Sequence, residues 1–524
     1  MHAITEGFER NKKQLSLSLA ATFIWGLFAH GYAFGNNLVT HDSLREFHSE
    51  VLGNNIKMGS GRVLIAIYRD IFGTDVTLPW FMGLLALLWI GLAVFFMVRL
   101  FCVKSPVLVC LMAGVCTTNI AVSATIATYI HDLDSYMFAM LCAVVSVFLW
   151  RNYTCGWIFG AVFAAFSLGI YQSFLFVAVT LVMMVCILDL LRERDFKAVF
   201  KDGIKAVAML ILGGVLYYLV MKVILVLTGI ALTKGDYNSL DRALALKADQ
   251  FIPQILSAYR DCFARMINSY SSYPSILVRG GTVLLLIHSV VVVLAGLMNS
   301  RVHPVGKGLC ILLVALLPLG MNLIHVLTVG KNHDLMTYPI WLIYILALLL
   351  ADWVMEKWQN TNSRGRMEWL PDSQRLVCMA LVFVLVYGNV RFANGMYIKK
   401  ALEHEAYMSL MSRVVARMEM VEDYVPGETE VVFLDLPDHL NEVMPGFKDY
   451  WNVIGMTKPD MIYIDARDRY QAFFDYMMGL PILLADEDTW NAGALMEATL
   501  QMPVYPAKGS IQMIDDVLYI KLGK

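Results

Sequence analysis

Residues 104–151 read KSPVLVCLMAGVCTTNIAVSATIATYIHDLDSYMFAMLCAVVSVFLWR. Two apolar runs, 104–124 and 135–151, flank a polar turn, Tyr129-Ile130-His131-Asp132-Leu133-Asp134-Ser135. Each run is near the roughly 20 apolar residues with which a helix crosses the hydrocarbon core of a bilayer. In that medium every backbone amide must find its partner inside the protein, which favours helices over isolated strands. The segment therefore predicts two membrane helices joined by an acidic turn at the surface.

The same pattern repeats outward. Apolar runs occupy roughly 14–34, 78–99, 154–170, 171–191, 204–231, 276–299, 305–329, 335–356 and 374–393, giving about eleven transmembrane helices with the two above. Hydrophobic residues make up 58% of the chain and charged ones 16%, too apolar for a soluble protein of this length to cover its own surface. The net charge of −2 does not suggest nucleic acid. Most of the nine cysteines sit inside apolar runs, and none has metal-ligand spacing, so no cofactor or metal is indicated. Arg10, Lys12 and Lys13 precede the first run, which lacks a small-residue cleavage site and reads as a retained helix.

Threading the runs alternately with the N-terminus inside collects the cations on one side. The cytoplasmic connections carry Arg99 and Lys104, Arg151, Arg192, Arg194, Lys197 and Lys201, Arg301 and Lys307, then Lys357, Arg364, Arg366 and Arg375. The opposite turns at 125–134 and 169–173 carry no Lys or Arg. This asymmetry predicts an N-in, C-out membrane protein.

Three larger segments then face outward. Residues 35–77 contain helical patterns near Ser43–Leu52 and Arg62–Phe72, and residues 232–275 are polar and aromatic, with Tyr237, Tyr259, Tyr270 and Tyr273. Residues 397–524 follow a membrane domain spanning 1–396 and have a soluble pattern. A helix near Ile398–Glu422 leads to strands near Glu430–Leu434, Met461–Ile464 and Val517–Lys521, with a helix near Arg467–Met478. The expected architecture is an all-α polytopic membrane unit with a small C-terminal periplasmic α/β domain, whose Trp451, Tyr463 and Trp490 suit either packing or glycan binding.

Chemistry-bearing residues gather at the outer rim. The first external segment reads Thr40-His41-Asp42-Ser43-Leu44-Arg45-Glu46. A carboxylate beside partly desolvated helix ends suits a general base; Asp42 or Ser43 would equally cap a helix. Asp132 and Asp134 carry the same two readings, helix cap or contact with an acceptor or a metal. Lys222, Arg279, His325, Lys331, His333 and Arg391 lie in or beside apolar runs, where ionisable groups are costly. They suit a lipid phosphate held at headgroup depth, or simply snorkel to the interface. Gly59-Ser60-Gly61-Arg62 reads as a tight turn presenting a guanidinium, and Tyr171-Gln172 marks a break between two helices.

An acidic first loop, Gly61-Arg62 opening a helix, Asp132 and Asp134 between two helices, and Tyr171-Gln172 after a short helix together resemble a known family. These are the phage-type, type II seroconverting O-antigen glucosyltransferases of the class C (GT-C) membrane glycosyltransferase superfamily, and the likeness covers roughly 14–350. His41 stands where that family often has a second acid, and Val63 where an aromatic is frequent, which weakens a two-carboxylate metal site and a stacking role there. The resemblance implies transfer of glucose from a polyprenyl-phosphate carrier to lipopolysaccharide O-antigen or a similar surface glycan at a periplasmic site. It implies Asp42, with Asp132 and Asp134, as catalytic acids. It points to His41, Arg45, Arg62, His131, Tyr171 and Gln172 as substrate-binding residues, joined by the rim cations Lys222, Arg279, Lys331 and His333 as candidates to bind the lipid phosphate. The partners are the lipid-linked donor, the glycan acceptor and the bilayer. A lipid-linked glycan flippase or an O-antigen polymerase or ligase would share these partners; a flippase would place paired charges at the bilayer midplane instead.

Overall fold

Asn119 and Tyr129 break the 104–151 stretch into three helical pieces, Pro106–Thr118, Ile120–Tyr129 and Leu133–Asn152. The Asn119 side chain serves both broken ends: Oδ1 accepts from the amides of Ala121 and Val122, and Nδ2 donates to the carbonyls of Val115 and Cys116. A mid-membrane break is tolerated because the freed backbone groups are satisfied again. Ile130–Asp132 forms a single 3-10 turn before the next helix.

The computed structural model describes residues 2–38, 42–44, 50–73, 76–234, 248–267, 275–360, 369–435 and 467–523. Among these, nine helices are long and apolar enough to cross a membrane. The count differs from eleven because the Pro106–Asn152 stretch enters as one, and because Gly156–Ile170 is shorter than the others. The bundle is held by close approach at small residues, the usual device where lipid is the solvent. A Cβ on Gly83 would lie 2.5 Å from the Phe34 ring, and one on Gly26 2.2 Å from Leu87, so His2–Gly35 and Pro79–Leu100 fit only with glycine there. The Phe196–Thr228 helix exposes Ile204, Val207, Ile211, Val215, Leu219 and Val223 along one stripe, facing lipid.

The arginines predicted for the cytoplasmic connections share one end. Arg151 pairs with Asp189 at 2.8 Å, Arg194 bridges Asp189 and Asp202 at 2.8 and 2.6 Å, and Arg375 pairs with Asp352 at 2.9 Å. At the other end, helices Glu50–Gly59 and Ile65–Phe72 cover the helix breaks at 130–132 and 171–174. Of the helical pattern read near Ser43–Leu52, residues 42–44 are helical and the helix Glu50–Gly59 covers its end, while 45–49 lie outside the described residues.

The last membrane helix does not stop where apolar character fades. Trp369–Met418 is one continuous helix of 50 residues, not a span followed by a separate helix from Ile398. No proline interrupts 394–397, and Asn394 turns its amide to the Phe28 and Val390 carbonyls, so nothing ends the hydrogen-bond ladder. Its far half enters a second core with Tyr407, Leu410, Met411, Val414 and Met418. There it meets a four-stranded sheet of order β2-β1-β4-β3. Strand β1 (Glu430–Leu434) pairs parallel with β2 (Leu483–Leu484) and β4 (Val517–Lys521); β3 (Ile511–Ile514) is antiparallel to β4. The strand read near Met461–Ile464 lies outside the described residues. The predicted helix near 467 is Arg467–Ala472, continuing as a wider π turn over Phe473–Met478.

Candidate active site

The site is built from the 50–73 segment clamped onto two helix breaks. Gly61 has φ +83°, the left-handed conformation that glycine allows without strain, and turns the chain between Glu50–Gly59 and Ile65–Phe72. The Leu64 amide donates to the Gly169 carbonyl at 2.8 Å, Gln172 Nε2 to the Ser60 carbonyl at 3.1 Å, and Tyr217 Oη to the Gly61 carbonyl at 2.9 Å. Gln172 thus anchors this turn.

Arg62 emerges from the turn against stacked aromatics. The Tyr136 and Tyr171 rings lie 4.2 Å apart, the guanidinium sits 4.6 Å from the Tyr171 centroid, and Nη1 donates to Tyr136 Oη at 2.9 Å. Its buried Nε has no hydrogen-bond partner among the described residues. A cation stacked on tyrosine with a donor to spare suits an anionic ligand.

Beside it, Asp132 is fully buried and accepts from Lys57 Nζ and Arg69 Nη2, each at 2.8 Å on Oδ1. Oδ2 accepts from Tyr136 Oη at 3.3 Å and lies 3.5 Å from His131 Nε2. Asp132 precedes the Leu133–Asn152 helix, but its side chain makes no capping hydrogen bond. Asp134, also buried, accepts from Tyr68 Oη at 2.9 Å, and Tyr68 in turn accepts from Trp89 Nε1 at 2.9 Å. Burial first, then the charge of Asp134, pushes the Tyr68 phenol well above its ordinary value and keeps it a donor.

Asp42 reaches this cluster through its neighbour: Ser43 shares a 3.1 Å hydrogen bond with His131 Nδ1. Asp42 itself lies 3.7 Å from Arg469 Nη2. The structure therefore brings together Arg62, His131, Asp132, Asp134, Tyr171 and Gln172, with Asp42 one residue from the Ser43 contact to His131. His41 and Arg45 lie outside the described residues. The other predicted cations do not converge: Lys222 is exposed and lies over the Tyr218 ring, Lys331 is exposed, and Arg279 is half-buried on the Ile276–Met298 helix.

Lys57, Tyr68, Arg69, Trp89 and Tyr136 were not anticipated. Lys57 and Arg69 flank the Gly-Arg turn in ordinary amphipathic patterns, and only the fold shows that both meet Asp132. A second buried network contains His325, which the sequence singled out, together with Arg265, Asp261 and Asp334, which it did not. Arg265 donates to Asp261 at 2.8 Å, Asp334 at 2.5 Å and the Asn332 carbonyl at 3.1 Å, while His325 shares hydrogen bonds with Ser257 and Asn332. It ties Ala248–Ile267 to the 322–336 connection. Burial opposes the Asp261 charge, but the His325 hydrogen bond and Arg265 hold its carboxyl well below the ordinary range. Among the described residues no group of three or more His, Cys, Asp or Glu is placed to hold a metal ion.

Fold and site together define a polytopic membrane protein whose buried acids, cations and tyrosines gather where several helices end on one face. The chain matches the family of the glucosyl transferase GtrII over residues 31–351 and belongs to that family. It is accordingly a membrane glucosyltransferase, as the resemblance implied. No curated protein and no solved structure matches it.

Proposed function

We propose that the protein transfers a glucosyl group from polyprenyl-phosphate-linked glucose to lipopolysaccharide O-antigen or a similar surface glycan, at the periplasmic face of a bacterial inner membrane. The observation that carries this reading is the Ser43–His131 hydrogen bond. It ties the residue next to Asp42 to His131, which adjoins Asp132 at the helix break, at the end of the bundle opposite the arginine-rich connections. Taken with the positive-inside pattern, that end is periplasmic, the 106–152 stretch crosses twice, and with Gly156–Ile170 the spans number eleven. Residues 397–524 then form a periplasmic domain. Nucleotide sugars are not supplied there, so the donor is lipid-borne.

In this scheme Asp42 takes the proton of the acceptor hydroxyl as its oxygen forms a bond to C1 of glucose. The bond from C1 to the phosphate oxygen breaks, and the electron pair leaves with the lipid phosphate. Arg62, stacked on Tyr171 with a donor in reserve, meets the developing phosphate charge. Asp132 is committed to Lys57 and Arg69 and is not the base; it holds the two cations against the helix break. Phosphate is a good leaving group, so less general-acid help is required than in glycoside hydrolysis.

A base placed this way is typically worth roughly 10²–10⁴-fold in rate. Purified protein in proteoliposomes, given polyprenyl-phosphate glucose and acceptor glycan, should form glucosylated product by mass spectrometry, and Asp42→Asn should lower kcat by that range while inserting normally. Near-full transfer by Asp42→Asn would remove Asp42 from the role. Counterflow of the lipid-linked sugar without product would point to a flippase.

A further inference from the structure

Three consecutive residues of the first external segment grip different parts of the protein. Asp42 lies 3.7 Å from Arg469 Nη2, and Ser43 bonds to His131 at the helix break. Leu44 is fully buried in the core made by Tyr407, Leu410, Phe433, Tyr470 and Phe473. Two of these three grips are on the C-terminal region. That region lies wholly beyond the residues 31–351 that match the family.

Resting on the reading of Asp42 as the base, we propose that Arg469 is a positioning residue for Asp42, and that the C-terminal region is one wall of the active site. Arg469 is held for this. It sits on the helix Arg467–Ala472, next to Tyr470, whose ring stacks on Phe433 of β1 at 4.6 Å. The Arg469 side chain is only 11% exposed and that of Asp42 18%, so their attraction is screened much less than on an open surface. At 3.7 Å the pair is longer than a hydrogen bond and acts through charge. Leu44, two residues along, fixes the backbone against sliding, and Ser43 fixes its rotation relative to Asp132. The base is thus aimed by a part of the chain that takes no part in the reaction. A misplacement of about 1 Å in such a group can cost 10²-fold in rate.

The test uses the full-length protein in proteoliposomes. Arg469→Gln should lower kcat at least tenfold with the KM for lipid-linked glucose within about twofold, and Arg469→Lys, which restores the charge, should recover to within about threefold of the parent. In an Asp42→Asn background, Arg469→Gln should add no further loss. If Arg469→Gln leaves kcat unchanged while Asp42→Asn abolishes transfer, this inference falls and the base assignment stands. If Asp42→Asn retains transfer, the underlying reading fails first. A second measurement needs no activity: in Arg469→Lys, a zero-length carbodiimide should join the new amine to the Asp42 carboxylate. The product is an amide-linked peptide pair detectable by mass spectrometry, and its absence from active protein would overturn the proposal.

Discussion

Replacing Asp132 by asparagine should damage the fold more than any other single change at the candidate site. Asp132 is the carboxylate between two cations, Lys57 and Arg69, each 2.8 Å away and each with a side chain 8% exposed. Breaking a buried pair by removing one partner costs about 3–5 kcal/mol, because the remaining charge stays buried and uncompensated. Here the loss takes a shared acceptor from two cations, so a loss within that range is expected. Removing one of them should then help. Lys57→Met in the wild-type background leaves Asp132 paired with Arg69 and costs little, whereas in the Asp132→Asn background it relieves a buried charge. The assay is the thermal midpoint of detergent-solubilised protein followed by fluorescence-detected size exclusion, applied to the two single variants and the double. The reasoning predicts the double to be more stable than Asp132→Asn alone. Additive losses, or an Asp132→Asn midpoint equal to the parent, would refute it.

Arg62→Lys should raise the KM for the lipid-linked donor on the order of tenfold, since it removes the planar stack on Tyr171 worth about 0.5–2 kcal/mol while keeping the charge; steady-state kinetics in proteoliposomes check this. Asp261 has a folded-state pKa below its unfolded one, so its contribution to stability is present above the ordinary carboxylate value of 3.8 and is lost as pH falls below it. Melting from pH 7 down to pH 3 should show Asp261→Asn destabilised at neutral pH and less sensitive to acid than the parent. Gly156→Ala should be poorly tolerated, because its Cβ would fall 1.8 Å from the Leu149 carbonyl oxygen and backbone would have to move. Accumulation in membranes, compared with Gly203→Ala, whose Cβ meets nothing within 4 Å, measures that effect.

The membrane character was legible because apolar length is a local property that tertiary context does not override. Span boundaries were less so. The Asn119 break lies inside an apolar run, and hydropathy cannot register an amide that caps a helix in mid-membrane. The junction near 394–397 looked like a boundary because apolar character ends there, yet helix continuation depends on the absence of a breaker and not on polarity. At the site, Asp132, Asp134, Arg62 and Gln172 stood out as polar residues beside helix breaks. Lys57 and Arg69 did not, since each sits on a short helix with an ordinary polar face, and their convergence on one carboxylate is a product of long-range packing. The cations at Lys222 and Lys331 show the converse: their place in the sequence pattern marked them, but both are exposed, Lys222 over the Tyr218 ring.

The 50-residue helix from Trp369 to Met418 is about 75 Å long at 1.5 Å per residue, roughly two and a half times what a bilayer core requires. Its first half is apolar and its second half packs on the sheet, so in the proposed topology it is a strut that sets how far the C-terminal region stands from the bilayer. A thicker or thinner bilayer changes the tilt of such a helix at small cost. Lipid chain length therefore becomes a variable of the enzyme: glucosyl transfer measured in vesicles of graded acyl length should pass through an optimum, set by the thickness at which this strut seats the 42–44 segment against His131.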